Sequence, residues 1–264
     1  MDGNQTQVRV MRPGGWVEGP GGGLLLATSG EPPSWFVLEE HPTLFKQFAE
    51  LPPAPDAIKQ FATQYGNLFA NLRSGAQLRS TLDDWQEQTF RMRCVLELWE
   101  AAVVNSDWLL NRALVELARV AEKGPLKPYQ VVAAELVERM RGDLLTGGGV
   151  ASKCWQAVFV VGDVVTEQLS EMAPFFERAA PSTGSDPVPP QPLKIGLRPK
   201  ELHQAVWWQC ARFLTDGTLV RQCPQCKEWF TVQPPITRTT RKFCSDRCKQ
   251  AAYRHKQKAK ESQS

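Results

Sequence analysis

The amino-acid sequence predicts a mainly α protein, α+β at most: a helical body with at most a small β element, followed by a compact cysteine-rich module. Three observations lead there. Several long segments repeat apolar residues every three or four positions, the period of an amphipathic helix. Runs of strand character are few and short. Four of the seven cysteines lie after Arg221, in two close pairs. With 264 residues and 42% hydrophobic content, the chain has enough apolar surface for a buried core.

Residues 1–34 are rich in Gly and Pro and show no period, so an irregular or disordered segment is expected. The α-rich body follows over 35–180. "PAPDAIKQFATQYGNLF" opens with Pro and Asp at a helix start, and Ile58, Phe61, Tyr65 and Leu68 recur at helical spacing. In "STLDDWQEQTFRMRCVLELWEAAVV", the positions Leu82, Trp85, Thr89, Met92, Leu96, Trp99 and Val103 form one buried stripe. Ser80 or Thr81 caps that helix, and Asp83 and Asp84 sit in its first turn, where the dipole favours acids. "SDWLLNRALVELARVAEKG" and "PYQVVAAELVERMRGDLL" give two more helices, bounded by Gly124-Pro125 and by "TGGG". "CWQAVFVVGDVV", rich in Val and Phe, is expected to be a strand, with a buried helix as the alternative. Residues 181–192 have the composition of a linker or exposed loop. Over 193–220 come a short strand in "LKIGLRP" and a helix in "PKELHQAVWWQCARFLTDG", which leads into the cysteine module over 221–264.

The net charge of +3 averages two unlike parts. From Arg221 onward eleven Lys or Arg face three acids (Glu228, Asp246, Glu261), while the preceding residues are mildly acidic. Such asymmetry is a pointer toward an acidic polymer as partner, with a solvated tail that aids solubility as the equal alternative on charge alone. No apolar run is long enough to span a bilayer, and the opening "MDGNQTQVRV" lacks a basic segment followed by an apolar one, so a cytoplasmic protein without a membrane partner is expected.

The cysteine spacing is Cys223-x2-Cys226, seventeen residues, then Cys244-x3-Cys248. Two local turns that each bring a pair of thiolates to one side are what a tetrahedral ion with ~2.3 Å metal–sulfur bonds requires. One structural Zn2+ is therefore the expected cofactor, with Cys223, Cys226, Cys244 and Cys248 as ligands; disulfides would need an oxidising compartment. The parts fit a treble-clef arrangement: a "CPQC" knuckle, a hairpin carrying Trp229 and Phe230, and a helix capped by Ser245 whose first turn holds Cys248. Phe230 and Phe243 are the expected apolar plugs. Cys94, Cys154 and Cys210 read as buried small hydrophobes, His41 and His203 as structural or surface residues, and His255 as packing near the metal.

On the last helix, Cys248, Ala251, Ala252 and His255 share the inward face. Arg247, Arg254 and Lys258 form one flank, and Lys249, Lys256 and Lys260 the other, with Gln250, Tyr253 and Gln257 outward between them. Cations beside phosphates and amides toward base edges are what a helix in a nucleic-acid groove needs. Arg238, Arg241 and Lys242 extend the footprint. The alternative is a structural or protein-docking zinc module whose basic residues are simply solvated.

The stretch "LHQAVWWQCARFLTDGTLVRQCPQCKEWFTV", continued by "RKFCSDRCKQAAYRHKQ", resembles the C-terminal region of a group of uncharacterised bacterial proteins. There a helix of the type L-x-x-A-x-W-x-Q precedes a Cys pair, Trp-Phe and "FCS-x-x-C". The layout is similar to the CGNR-type zinc fingers that follow the ABATE domain, a group regarded as stress-induced transcription regulators, and "FATQYGNLF" is similar to the FA-x-x-YG-x-L helix of the uncharacterised group. The resemblance implies zinc at the four cysteines and a DNA-binding, transcription-regulating role. Lys249-Gln250-Ala251 stands where the CGNR type has Gly-Asn-Arg.

Together these readings describe a non-enzymatic zinc protein. Its finger is expected to bind nucleic acid, duplex DNA foremost, and its helical body a protein partner or small ligand. The sequence shows no paired catalytic histidines, and "TGGGVASK" lacks the Walker spacing and reads as a turn.

Overall fold

The computed structural model describes residues 9–12, 16–18, 24–27, 34–66, 68–69, 79–122, 127–144, 150–170, 172, 174–177, 194–197, 199, 201–216, 219–232 and 240–261. Four short strands come first: β1 (Arg9–Arg12), β2 (Trp16–Glu18), β3 (Leu24–Ala27) and β4 (Ser34–Val37). β1 pairs antiparallel with β4, and β3 lies between β2 and β5 (Arg79–Thr81). For residues 9–12, 16–18, 24–27 and 34 the expectation of irregular structure is corrected, the rest of 1–34 lying outside the described residues; strands of three or four residues are too short to display a period of two.

α1 (Leu44–Ala49) and α2 (Pro55–Tyr65) follow. α2 begins at Pro55, whose missing N–H would be unpaired there anyway, and buries Ile58, Phe61, Ala62 and Tyr65. It ends at Gly66, whose N–H still donates to the Ala62 carbonyl at 2.8 Å and whose φ of 108° turns the chain out of the helix.

α3 (Leu82–Val103) is the centre of the body. Thr81 Oγ1 accepts the Asp84 N–H at 3.0 Å and the Asp84 carboxylate accepts the Thr81 N–H at 2.7 Å, a complete capping box. The expected stripe is buried at Trp85, Thr89, Met92 and Leu96 but not at Val103, which is 62% exposed. Gln88, Arg91, Cys94, Val95, Leu98, Ala101 and Ala102 are buried as well, so α3 hides far more than one face. The reason is its position among α1, α4 (Asp107–Ala121), α5 (Pro128–Leu144), α6 (Val150–Leu169) and α7 (Leu202–Thr215), all of which pack on it. Trp85 is fully buried, and its indole N–H donates to Ser80 Oγ at 2.8 Å.

The segment expected as a strand, "CWQAVFVVGDVV", lies within α6. Its buried residues, Cys154, Ala157, Val160, Val161, Val164 and Val165, follow the helical period. Exposed Trp155 and Phe159 fill the positions where an amphipathic helix normally shows polar residues, and so made the run look continuous. The strand expected in "LKIGLRP" is present as β7 (Lys194–Leu197), antiparallel to β6 (Pro174–Glu177). The 181–192 linker, the "TGGG" stretch, Gly124-Pro125 and Gly217 lie outside the described residues. No helix among the described residues is long and apolar enough to cross a membrane.

α7 joins the body to the cysteine module, and each residue of its L-x-x-A-x-W-x-Q pattern has a place. Leu202, Ala205 and Trp207 are wholly buried, and the Trp207 indole N–H donates to Gln88 Oε1 at 3.2 Å. Gln209 donates to the carbonyls of Leu38 (3.1 Å) and His41 (2.8 Å) and accepts the Phe45 N–H at 3.3 Å, tying α7 to the start of α1. His203 is structural, as expected. Its Nε2 lies 2.8 Å from Gln168 Oε1 and 3.2 Å from Gln88 Oε1, and burial, helped by the Arg91 charge, brings it down to about 4. Cys94, Cys154 and Cys210 are buried, with thiols that burial pushes up, to about 12 for Cys210.

Candidate metal centre and basic helix

β8 (Leu219–Gln222) and β9 (Trp229–Val232) form an antiparallel hairpin, with Leu219 opposite Val232 and Gln222 opposite Trp229. The knuckle at its tip is closed from both sides. The Cys223 N–H donates to the Glu228 carbonyl at 2.9 Å, and the Lys227 N–H donates to the Cys223 carbonyl at 2.8 Å. Lys227 itself takes φ 63°, a left-handed conformation that a side chain normally avoids.

The second pair comes from the entry to α8 (Asp246–Glu261). Ser245 caps it as expected: its Oγ accepts the Cys248 N–H at 3.3 Å, and its carbonyl accepts the Lys249 N–H at 3.1 Å. Cys248 therefore sits in the first turn and Cys244 just before it.

The four sulfurs lie within 4.8 Å of one another. Cys244 Sγ is 3.5 Å from both Cys226 Sγ and Cys248 Sγ. A tetrahedron with ~2.3 Å bonds has edges of about 3.8 Å, so the cluster is of the size that closes around a single metal ion. Burial would push the Cys223 thiol up, but hydrogen bonds from the backbone of Cys226, Cys244 and Gln225 and from the Cys226 side chain outweigh it, and it falls to about 6. Cys244 is pushed up to about 12, by burial first and by the neighbouring thiols next. Like charges so close do not ionise together without a cation between them. Cys223, Phe230 and Val232 form the small core, with Phe243 packed against it, so both expected plugs are in place.

Of the residues expected to face nucleic acid, Lys242, Arg247, Lys249, Gln250, Tyr253 and Arg254 are exposed, while Ala251, Ala252 and Cys248 are half-buried on the opposite side. His255, expected to pack near the metal, is exposed. Arg238 lies outside the described residues; Lys256, Gln257 and Lys258 lie on α8, with side chains outside the description. Arg241 is different: its guanidinium is engaged within the module. It donates from Nε to the Phe243 carbonyl at 2.9 Å and from Nη2 to the Cys244 carbonyl, and stacks on Phe230.

The module also touches the body, though not through the adjacent Trp207 and Trp208: Trp207 is interior to the body and Trp208 packs on the same core. The docking residue is Trp229. Its indole N–H donates to Glu50 Oε2 at 2.8 Å, and the Lys46 ammonium lies 5.4 Å from its ring. Lys46 is buried, paired with Glu100 and also over the Phe213 ring. The only trace in the sequence was a Trp beside a Phe on a strand too small to bury both. Compared with known proteins, the chain matches no family profile, no curated protein and no solved structure.

Proposed function

We propose that this chain is a zinc-containing nucleic-acid-binding protein, a cytoplasmic DNA-binding transcription regulator whose helical body receives a partner or small ligand. The observation that carries the reading is α8: a helix anchored at its start by two cysteines of the cluster, Cys244 just before it and Cys248 in its first turn, and presenting Arg247, Lys249, Gln250, Tyr253 and Arg254 to solvent. An α-helix fits the major groove of duplex DNA, with cations placed for phosphates and amides for base edges. Soft thiolates on a C-x2-C and C-x3-C frame suit zinc, and four of them close its shell, which leaves the metal a structural task. The resemblance to the CGNR-type fingers of ABATE-domain regulators supports the same reading.

The test is fluorescence anisotropy of the zinc-loaded protein with duplex DNA, duplex RNA and single strands across salt concentrations. With ~5 phosphate contacts, affinity for duplex DNA falls with a log-log slope of about −4 to −5, and changing Arg247, Lys249 and Arg254 together to Gln abolishes binding. Absence of binding at low salt sinks the reading.

A second reading is favoured by the Trp229 contact: a module held against the body by an indole hydrogen bond and a buried lysine serves as a structural or protein-docking cap. Under it, the triple Gln variant leaves every measurable association unchanged.

A further inference from the structure

Resting on the reading of the four cysteines as a zinc site, we infer that Arg241 is a positioning residue of that site, holding Cys244 in register with the Cys223–Cys226 knuckle, and not a nucleic-acid contact. The chain of bonds is continuous. Arg221, on the strand that runs directly into Cys223, donates from Nη1 to the Arg241 carbonyl at 3.0 Å. Arg241 then donates from Nε to the Phe243 carbonyl at 2.9 Å and from Nη2 to the Cys244 carbonyl. Its guanidinium carbon lies 5.3 Å from the centre of the Phe230 ring, the main plug of the module's core.

These links matter because the two ligand pairs are far apart in sequence and the module's apolar core is only a few residues. Without a metal, something else must bring the second pair to the first. The Arg221–Arg241–Cys244 relay connects β8 to the second pair directly. A planar guanidinium is suited to it. One rigid group addresses two successive carbonyls while its face covers an aromatic ring, which a lysine ammonium, a point charge on a flexible stem, does not reproduce. The relay lowers the ordering cost of metal capture, as groups that orient ligands in metal sites do.

The experiment is competitive titration of the full-length protein with Co2+ and Zn2+ against a chelator, followed by the cobalt–thiolate absorption, for the parent chain and for Arg241→Lys, Arg221→Lys and Lys242→Gln. Expected for Arg241→Lys is a loss of metal affinity of about 10- to 100-fold with an unchanged four-thiolate spectrum at saturation. That spectrum shows that the variant still assembles the site. Arg221→Lys is expected to lose less, and Lys242→Gln to match the parent. An Arg241→Lys affinity within twofold of the parent overturns the inference, as does an equal loss in Lys242→Gln, which would make the effect one of the whole segment and not of the contacts Arg241 makes. A parent chain that takes up neither metal overturns the zinc reading itself. Since no nucleic acid is present, the outcome is independent of whether α8 binds DNA.

Discussion

His203 sits where its charged form is disfavoured. A neutral imidazole between two glutamine side chains keeps its place in the body, but a charged one loses hydration and faces the Arg91 charge. Its folded value, about 4, lies below the ordinary 6.5. Between the two the unfolded chain binds the extra proton, so stability is fully present above about pH 6.5 and is lost as pH falls toward 4. A depression of this size is worth roughly 3 kcal/mol at its limit. Urea unfolding at a series of pH values is expected to show this loss in the parent chain and a flatter profile in His203→Gln; parallel profiles would refute it. The same scale holds much of what the sequence hid. Nothing in "HQAVWWQC" distinguishes the Trp that joins the core and bonds Gln88 from its half-buried neighbour, because both positions suit an apolar ring and only the tertiary packing decides.

At the scale of elements, legibility followed length. α3 was readable because its capping box and apolar period agree over many turns, and Thr81→Ala is expected to cost about 1 kcal/mol. That variant unbinds one side of the box while Asp84 stays, so an unchanged denaturation midpoint would show the cap to be idle. α6 was misread because exposed aromatics at Trp155 and Phe159 broke the polar side of its period. The strands β1–β3 were missed because their pairing is a long-range property, while composition reports only the Gly and Pro between them. The clustering of the four cysteines, by contrast, was legible to the residue: their spacing is a local code, since a knuckle and a helix start each place two sulfurs without reference to the rest of the chain.

For the whole molecule, the important feature is that the cysteine module does not hang from the body. Trp229 is bonded to Glu50 and covers Lys46, and Val220 of β8 packs against the main core. A cation over an indole contributes about 0.5–2 kcal/mol, more as it is desolvated. Folding of the two parts is thereby linked, and metal at a hundredfold excess over its dissociation constant adds about 2.7 kcal/mol to whatever unfolds with the module. In thermal melts followed by helical circular dichroism, a signal dominated by the body, metal is expected to raise the midpoint of the parent chain. In Trp229→Ala that increment should largely disappear. An equal increment in both would show that the linkage runs elsewhere.

The buried indole of Trp207 has a consequence of a different kind. Its N–H is sealed inside the bundle, bonded to Gln88, and belongs to the helix that connects the body to the module. A proton so placed reaches solvent only when the helices around it separate, so its replacement by deuterium runs at the pace of global opening and not of local fraying. The molecule thus carries an internal clock in one side chain, and the rate at which that single resonance fades measures how seldom the whole body comes apart.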